Sequence, residues 1–505
     1  MKKFVCIHGH FYQPPRENPW TGEVDAEPSA APYHDWNERI SKECYEANTR
    51  APILSSKGEV TQTVNNFENI SFDIGPTLLS WMKRRASAAY RAILDADRAS
   101  AARFGGHGNA MAQIYNHLIM PLAKKRDKIT QIVWGIADFE FHYGRKPEGM
   151  WLSEAAVDRE TLKLMAERGI SYTVLAPHQA ARTRKIGFGQ RWESKHHESV
   201  NTKHPYRVWL DGGKQFHVFF YDAVISRGIA FQGLLNNGDQ LIHQLTNSFG
   251  RRSTDGTQLV STATDGESFG HHHHFGEMAI AYALKKIEDH KTARLTNYAE
   301  YLERFGSQWE VDIHEKSSWS CAHGVERWRS DCGCRMNHAE GWNQKWRTVL
   351  RESFDALQES VDRAFELQTN GLLKDPWQAR NDYIQVMLDP SENQRKRFLG
   401  RQARKPLSAP EERKVWDLLE AEKFSLFMYT SCGWFFDDIS GIEPVQVMKF
   451  ALRAMELVQP YQDKDLEGIF LKRMAQAKSN IPENGTGADV FERMVKPARA
   501  VLHGV

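Results

Sequence analysis

The segment LVSTATDGESFGHHHH, residues 259–274, combines two carboxylates, Asp265 and Glu267, with four consecutive histidines. Carboxylates that follow an apolar strand can act as nucleophile, general acid or general base, whereas a run of histidines can bind a metal ion. We predict that His271, which directly follows Gly270, lines a cleft. The other three histidines are interpreted as surface or packing residues, with metal binding by the run as the alternative.

Polar side chains also follow other apolar runs of the sequence. Active sites of α/β barrels gather at the carboxyl ends of the strands, so residues at these positions are the candidates for function. Together with the Asp265 segment they form five blocks along the chain. The other four blocks contribute His8, His10 and Gln13; His107 and Asn109; Trp151 and Glu154; and Trp319 and His323.

Glu154 and Asp265 form the pair with the most definite chemistry. Retaining glycosidases place two carboxyl groups ~5–5.5 Å apart, one as nucleophile and one as acid and then base, in environments that separate their pKa values. Trp151 and Trp319 are predicted to supply apolar walls or a platform for a sugar ring. Each carboxylate also has a structural interpretation: Glu154 as a first-turn helix residue, and Asp265 as the start of an Asp-Gly turn.

The histidines of the first two blocks have two interpretations. His8 and His10 alternate along the first predicted strand, which is a metal-ligand spacing, but Tyr12 occupies the third position of a His-x-His-x-Asp motif. We therefore predict that His8 and His10, with His107 and Asn109, contact sugar hydroxyls or tune the carboxylates. A metal ion at His8 and His10 is the alternative.

The fifth block, CAHGVERWRSDCGC, contains four soft metal ligands. Cys321, His323, Cys332 and Cys334 would complete a tetrahedral zinc site. The spacings Cys-x-His and Cys-x-Cys are shorter than those of common zinc knuckles. We therefore favour a tight loop of buried or free thiols, with zinc as the alternative and His323 as a substrate residue.

The elements that position these residues follow from hydrophobic periodicity. Short apolar runs predict strands at 2–9, 148–152, 171–176, 206–210, 216–222 and 258–264, with a further strand that begins at Arg103. Helical patterns between them predict helices at 76–97, 128–144 and 157–169. Alternation of this kind predicts a parallel sheet, either doubly wound or closed as a barrel.

From about residue 275 onward the pattern becomes helical. Apolar residues at three- and four-residue spacing predict amphipathic helices within 278–291, 294–305, 341–371 and 411–431. A chain of 505 residues is too long for one compact core. We predict an α/β catalytic domain over residues 1–300 and an α-helical domain over residues 301–505 that contributes to the active-site cleft.

Composition narrows the class of protein. A net charge of +2 gives no indication of a nucleic-acid or membrane-surface partner. The first apolar run stops at His8, which is too short for a signal peptide, and no apolar stretch approaches the ~18–20 residues of a membrane span. Six cysteines in so long a chain do not suggest a disulfide framework, so we expect a cytoplasmic protein.

The order of the five blocks resembles glycoside hydrolase family 57. The resemblance rests on HGHFYQPP at 8–15, GGHGNA at 105–110, WLSE at 151–154, DGESFGH at 265–271 and SWSCAHGVERWRSDCGC at 318–334. The fourth block is specific, whereas the first alone is not. FMYTSCGWFFDDISGIEP, at 427–444, resembles the helical region of a branch of that family with an extended first motif.

The resemblance implies an incomplete, TIM-like (β/α)7 barrel followed by a helical region, acting with retention on α-linked glucans or related α-glycosides. Activities of the family include α-amylase, 4-α-glucanotransferase and branching enzyme. The family's nucleophile corresponds to Glu154 and its acid/base to Asp265, with Glu267 as a supporting residue. The implied partner is a polysaccharide or oligosaccharide substrate, without a cofactor.

Two departures from the family pattern leave alternatives open. Phe11 and Tyr12 separate His10 from Gln13, and Ser153 replaces the proline of the usual Trp-Leu-Pro-Glu block. One alternative is a non-catalytic glucan-binding or regulatory protein on the same fold. Another is a metal-dependent carbohydrate deacetylase, which needs an Asp pair after the first strand that this chain lacks.

Overall fold

The computed structural model describes residues 2–250, 256–337 and 339–503, which form two compact units. Each unit is assembled from separate stretches of the chain. The first comprises Met1–Gln13, Ala26–Gln113 and His142–Glu315. The second comprises Pro14–Asp25, Ile114–Phe141 and Lys316–Val505.

All strands of the described residues belong to the first unit. They are β1 (Lys2–Phe11), β2 (Ala51–Leu54), β3 (Val60–Val64), β4 (Ser71–Ile74), β5 (Ala112–Gln113), β6 (Met150–Trp151), β7 (Tyr172–Leu175), β8 (Ala180–Lys185), β9 (Glu193–Ser194), β10 (Tyr206–Trp209), β11 (Gln215–Phe220), β12 (Thr257–Asp265), β13 (Arg294–Leu295) and β14 (Trp309–Ile313).

Seven of the described strands follow one another around a ring, in the order β1, β4, β5, β6, β7, β11 and β12. The pairs β12–β1, β1–β4, β5–β6 and β7–β11 are parallel ladders. Single parallel bridges, Phe72 with Ala110 and Gly149 with Tyr172, join β4 to β5 and β6 to β7. The ring closes where the backbone N–H of Asp222, after β11, donates to the carbonyl of Ser261 in β12 (2.7 Å).

Burial explains why these strands read as continuous apolar runs. β4 and β7 are buried along their whole length, as are all but the first two residues of β1. A parallel strand covered on both faces has this pattern, since helices pack outside the ring. The predicted (β/α)7 barrel is therefore confirmed in its ring of parallel strands.

A second sheet extends from the ring through β11. Its order is β7-β11-β10-β14-β8-β9, with antiparallel β10–β11 and β14–β8 pairs. β2 and β3 form a separate hairpin.

The helices of the first unit are α1 (Trp36–Ile40), α2 (Glu46–Thr49), α3 (Pro76–Arg85), α4 (Ser87–Arg103), α6 (Arg159–Ala166), α7 (Ala223–Phe231), α8 (Gly238–Asn247), α9 (Gly276–Asp289) and α10 (Tyr298–Phe305). α5 (Lys125–Tyr143) lies almost entirely in the second unit.

Two local predictions are wrong. The helix predicted over 76–97 is two helices, because the backbone of Ala86 leaves the helical region (φ −129°, ψ 48°) between α3 and α4. The strand predicted from Arg103 does not form, since α4 continues through that residue and the next strand, β5, begins at Ala112.

The second unit is built from helices, as predicted for the C-terminal part of the chain. After α5 they are α11 (Trp346–Thr369), α12 (Pro376–Asp382), α13 (Ile384–Leu388), α14 (Glu392–Gln402), α15 (Ala409–Phe427), α16 (Cys432–Phe435), α17 (Ile442–Val458), α18 (Leu466–Met474) and α19 (Gly487–Val490). α11, α15 and α17 pack against one another. Buried Arg380 holds the unit together, since it forms ion pairs with Asp127 and Glu422, both at 2.8 Å. Among the described residues, no helix is both long and apolar enough to cross a bilayer.

Candidate active site

The parallel register brings polar residues of several strands to one edge of the ring. His10 lies beside Asp265 of β12 on one side and beside Asp73 of β4 on the other. Trp151, the last residue of β6, lies beside Gln113, the last residue of β5. Because these strands are parallel, their last residues and the turns that follow meet at the carboxyl edge of the ring, where barrel active sites form.

Asp73 joins the two histidines of β1 in a buried network. Its Oδ1 lies 3.0 Å from Nε2 of His8, and its Oδ2 lies 2.7 Å from Nδ1 of His10. The other ring nitrogen of His8 lies 3.0 Å from Oγ of Ser71. Both nitrogens of His8 and one of His10 are thus engaged by protein side chains that orient the two rings.

The same network shifts the pKa values of His8, His10 and Asp73 in different directions. Burial lowers the pKa of His8. Burial acts in the same direction on His10, but the carboxylates of Asp73, Asp265 and Glu267 together outweigh it and raise the pKa of His10. Burial alone would raise the pKa of Asp73, yet its contacts with the two imidazoles hold that pKa below its usual range. His10 is therefore the imidazole that carries a positive charge more readily, directly beside Asp265.

The structure buries Trp151, for which the sequence predicted an apolar wall or a platform for a sugar ring. Its ring is fully buried and stacks against His8 (centroids 4.9 Å apart, planes 20° apart) and against His10 (5.0 Å and 21°). Tyr12 stacks on His10 as well, at 5.6 Å and 8°. Trp151 therefore packs against both imidazoles, and the substrate contact predicted for it stays a prediction.

Glu154 follows β6 in a strained turn and is largely buried. Its φ and ψ are 57° and 23°, and the next residue, Ala155, also has a positive φ of 48°. For residues other than glycine this conformation costs ~1–2 kcal/mol each. The turn is held by the N–H of Ala155, which donates to the carbonyl of Leu152, and by Nε2 of Gln179, which donates to the carbonyl of Ala155 (both 2.8 Å). Backbone strain sustained in this way clusters at functional sites.

We expect the Glu154→Gly variant to be more stable than Glu154→Ala by about 1 kcal/mol, because glycine adopts positive φ without a steric cost. Both variants lose the carboxylate, so their difference isolates the backbone. Chemical denaturation of the two proteins measures the free energies of unfolding. An alanine variant as stable as the glycine variant would show that the turn is not strained.

Asp265 ends β12 and is exposed to solvent, unlike the residues on either side of it. Desolvation by the surrounding protein raises its pKa, the imidazole of His10 opposes this effect, and Asp73 adds to it. Such a carboxyl group is open to a ligand on one side and enclosed by protein on the others. The next residue is glycine for a packing reason, since a Cβ at Gly266 would meet the Phe11 ring at 2.3 Å.

Glu267 is buried two residues later, and one of its oxygens accepts three hydrogen bonds. Oε1 accepts from the backbone N–H of Tyr12 (3.0 Å), the hydroxyl of Tyr45 (2.8 Å) and Nε2 of Gln13 (3.4 Å). Burial and the neighbouring charge of Asp265 raise the pKa of Glu267 to about 7. Glu267 therefore gains or loses its proton near neutral pH, and it also fixes the loop of Tyr12 and Gln13.

The raised pKa of Glu267 predicts a pH-dependent effect of Glu267→Gln. The folded protein binds this proton more tightly than the unfolded chain, so the contribution of Glu267 to stability is complete below pH 4.5 and is lost as the pH rises to about 7. Glutamine keeps an acceptor oxygen and does not ionise. We expect the stability of the variant relative to wild type to increase by about 2–3 kcal/mol between pH 5 and pH 8. Denaturation of both proteins across this range measures the difference, and a constant difference would contradict the prediction.

The structure adds three residues that sequence reasoning missed: Asp73, Tyr45 and Gln113. Gln113 is buried, and neither its amide oxygen nor its amide nitrogen has a hydrogen-bond partner among the described residues. Buried amides without partners are rare, so Gln113 is suited to a ligand hydroxyl. The signal for Asp73 was the four-residue run SFDI, and Tyr45 ends a π-helical segment that no sequence pattern marked.

The structure does not bring His107 and Asn109 to this edge. Both precede β5 instead of following a strand, because α4 occupies the residues up to Arg103. The ring nitrogens of His107 lie 2.7 Å from Glu148 and 2.8 Å from Glu303. His107 and Asn109 thus lie toward the amino-terminal ends of the strands, and the contact with substrate predicted for them stays a prediction.

Two rings of the histidine run contact residues of other segments, Glu43 and Ala230. The backbone N–H of His271 donates to the carbonyl of Glu267, but its ring pairs with Glu43. Nε2 of His273 lies 3.0 Å from the carbonyl oxygen of Ala230. The ring of His271 thus supports the segment beside Glu267 through Glu43, and its predicted contact with substrate stays a prediction.

Trp319 and His323 belong to the second compact unit. His323 lies against Cys334, with its Nδ1 3.6 Å from the Sγ of that cysteine. The substrate contacts predicted for Trp319 and His323 stay predictions.

Solved structures similar to this chain share its fold over nearly the whole length. They include an exo-type maltose-forming amylase from Pyrococcus sp. ST04 (TM-score 0.70, 15% identity, covering 99% of this chain and 94% of that one). A branching enzyme from Pyrococcus horikoshii has a TM-score of 0.54 and 14% identity, covering 100% and 96%. A 4-alpha-glucanotransferase from Thermococcus litoralis has a TM-score of 0.53 and 16% identity, covering 92% of this chain and 60% of that one. No protein of curated function matches the sequence.

Two family profiles match the sequence itself. A domain of unknown function, DUF3536, matches residues 342–505. The profile of glycosyl hydrolase family 57 matches residues 23–314, a stretch that contains both Glu154 and Asp265 and more than half of the chain. The chain belongs to glycosyl hydrolase family 57.

Proposed function

We propose that this protein is a retaining enzyme that cleaves or transfers α-linked glucans by double displacement, with Glu154 as nucleophile and Asp265 as acid and base. The observation that carries the proposal is the position of these two carboxylates in the ring. β6, before Glu154, and β12, which ends at Asp265, are separated by β7 and β11 on one side and by β1, β4 and β5 on the other. Carboxylates that follow different strands of one barrel edge suit attack on an anomeric carbon from one face and protonation of the leaving oxygen from the other.

In the first step, the ionised carboxylate of Glu154 attacks the anomeric carbon while Asp265 gives its proton to the glycosidic oxygen. The glycosidic bond breaks, the aglycone chain leaves as an alcohol, and a covalent ester of inverted configuration forms on Glu154. The hydrogen bonds that hold the strained turn of Glu154 favour this role, because a rigid backbone restricts the motion of the carboxylate before substrate binds.

In the second step, ionised Asp265 takes a proton from water or from a hydroxyl of another glucan chain. The activated oxygen attacks the anomeric carbon, the ester bond to Glu154 breaks, and a second inversion restores the α configuration. Asp265 is suited to both steps, because desolvation raises its pKa toward neutrality while the neighbouring charge of His10 stabilises the ionised form.

The surrounding groups supply orientation and charge. Asp73 keeps His10 in place, and Trp151 stacks on its ring. Gln113, with both amide atoms buried and unpartnered, is the candidate to hydrogen-bond a sugar hydroxyl. The α-glucan class is supported by family membership and by the similar structures, which are named as an amylase, a branching enzyme and a glucanotransferase.

The test is incubation of the purified protein with a panel of α-1,4- and α-1,6-linked glucans and α-galactosides, with products followed by proton NMR from the first turnover. We expect the α anomer to form first on at least one α-glucan, and added acceptor sugars to show whether transfer competes with hydrolysis. Initial formation of the β anomer would contradict the mechanism. Tight binding of glycogen or amylose without turnover would instead indicate a non-catalytic binding protein.

A further inference from the structure

The loop between Lys316 and Lys345 gathers four metal-ligating side chains that the proposed mechanism does not use. Sγ of Cys321 lies 3.9 Å from Sγ of Cys332 and 3.8 Å from Sγ of Cys334, and Sγ of Cys334 lies 3.6 Å from Nδ1 of His323. All four ligand atoms lie within 4.8 Å of one another. The sulfurs are too far apart for a disulfide bond, in which they would be about 2.05 Å apart.

These separations are those of the edges of a zinc tetrahedron. With Zn–S bonds of about 2.3 Å and a Zn–N bond of about 2.0–2.1 Å, tetrahedral geometry places two sulfurs about 3.8 Å apart and a sulfur and a nitrogen about 3.5–3.6 Å apart. We propose that Cys321, His323, Cys332 and Cys334 bind one zinc ion in a Cys3His site. Four protein ligands close the coordination shell, so the site is structural and not catalytic.

Two glycines explain how ligands with such short spacings in the sequence can still bind one zinc ion. Gly333, between Cys332 and Cys334, has φ +80°, and Gly324, directly after His323, has φ +84°. These left-handed residues turn the chain beside each ligand pair, so ligands two positions apart reach one point. A Cβ at Gly324 would also meet the carbonyl oxygen of Lys316 at 2.5 Å.

Charge balance provides an independent argument. Two buried guanidinium groups surround the cluster: Arg347 donates to the carbonyl of Cys334 (2.7 Å), and Arg327 donates to the carbonyl of Ser320 (3.0 Å). Arg347 has Asp437 as a neighbouring carboxylate, 3.8 Å away, whereas the hydrogen bonds of Arg327 given by the structure go to the backbone carbonyls of Ser320 and Phe435. A zinc ion with three thiolates and one neutral imidazole has a net charge of −1, which would compensate the second buried cation.

The proposed zinc has a clear structural task. Between Lys316 and Lys345, the described residues contain one short 3-10 turn, Glu326–Trp328, and no longer element. Loops of this length without regular structure are uncommon inside compact domains, and a bound metal ion is one way to order them. Zinc would join the stretch before that turn to the stretch after it, and would thereby fix the loop that contains Trp319.

The experiment is elemental analysis of the purified full chain, expressed with zinc in the medium. We expect about one zinc per chain in wild type and less than about a tenth of that in Cys332→Ser and Cys334→Ser. Cys432→Ser, a half-buried cysteine of the same unit outside the cluster, is the matched control and keeps the metal. X-ray absorption at the zinc edge of wild type is expected to give three sulfurs and one nitrogen, and it needs no variant to fold.

Three results would overturn the proposal. They are wild type without stoichiometric metal, a zinc shell of oxygen and nitrogen alone, or a native disulfide between two of the cluster cysteines found by alkylation and mass spectrometry. None of these measurements depends on catalytic activity, so the zinc site and the proposed function fail or hold separately.

Discussion

Glu154→Gln is expected to lower kcat on the best α-glucan substrate by on the order of 10⁴-fold or more, with little change in substrate affinity. The amide is almost isosteric with the carboxylate but cannot form the glycosyl ester. The substitution leaves in place Gln113 and His10, which we propose to contact the substrate. Steady-state kinetics with the variant and wild type, together with a binding measurement on an unreactive glucan, separate the two effects.

A chemical rescue distinguishes loss of the nucleophile from local damage. In Glu154→Gly, the missing side chain leaves room for azide, which attacks the anomeric carbon of an activated α-glycosyl fluoride from the face that Glu154 would use. We expect turnover to rise with azide and the product to be the β-glycosyl azide. An α-glycosyl azide, or wild-type rates in Glu154→Gln, would exclude Glu154 as nucleophile.

The second large effect is expected from Asp265→Asn, with a loss of about 10²–10⁴-fold on glucans whose leaving group needs a proton. The same variant is expected to retain formation of the glycosyl ester from a glycosyl fluoride, since fluoride leaves without protonation. The first step then proceeds while the second lacks its base. The rates of wild type and variant are measured on a glucan and on the corresponding glycosyl fluoride. The prediction is that the substitution lowers the rate on the glucan much more than the rate of ester formation from the fluoride.

Azide again provides the control for Asp265. It needs no general base, so it should restore release of the sugar from the ester and give the α-glycosyl azide, opposite to the product of the Glu154 variant. Glu267→Gln is the matched comparison at the neighbouring carboxylate. If Glu267→Gln, and not Asp265→Asn, showed the dependence on leaving group, the acid would be Glu267, whose pKa of about 7 also allows it to hold a proton.

The parts of the site that the sequence predicted are those at the ends of long apolar strands. β12 is a buried strand of nine residues, so Asp265 and Glu267 are placed at its end by pattern alone. β1 places His8 and His10 in the same way. Strand length and burial carry this information because a parallel strand covered on both faces must be apolar until it emerges.

The residues that sequence reasoning missed or misplaced depend on short elements and on packing. β4 has four residues, and β5 and β6 have two each, too few for periodicity to detect. Asp73 was therefore overlooked, and His107 was assigned to the end of a strand that instead begins after it. The orientation of Trp151 depends on its contact with two imidazoles across the ring, which no local pattern encodes.

The sequence pattern also failed to indicate how close together the ligand atoms of the cysteine cluster lie. Linear spacing argued against zinc, because common zinc knuckles separate their ligands by two to four residues. The left-handed conformations of Gly324 and Gly333 turn the chain so that the four ligand atoms come close together despite the short spacings. Backbone conformation of this kind is set by the whole loop and not by the ligand motif.

The most direct test of the central claim is identification of the residue that carries the sugar. Wild type and Asp265→Asn would be incubated with a 5-fluoro α-glycosyl fluoride, whose ring fluorine slows both steps and whose leaving group favours the first. Intact mass and peptide mass spectrometry then locate the adduct. We predict one glycosyl group per chain, on Glu154; an adduct on Asp265, Glu267 or any other residue, or no covalent adduct under conditions of turnover, would contradict the double-displacement mechanism.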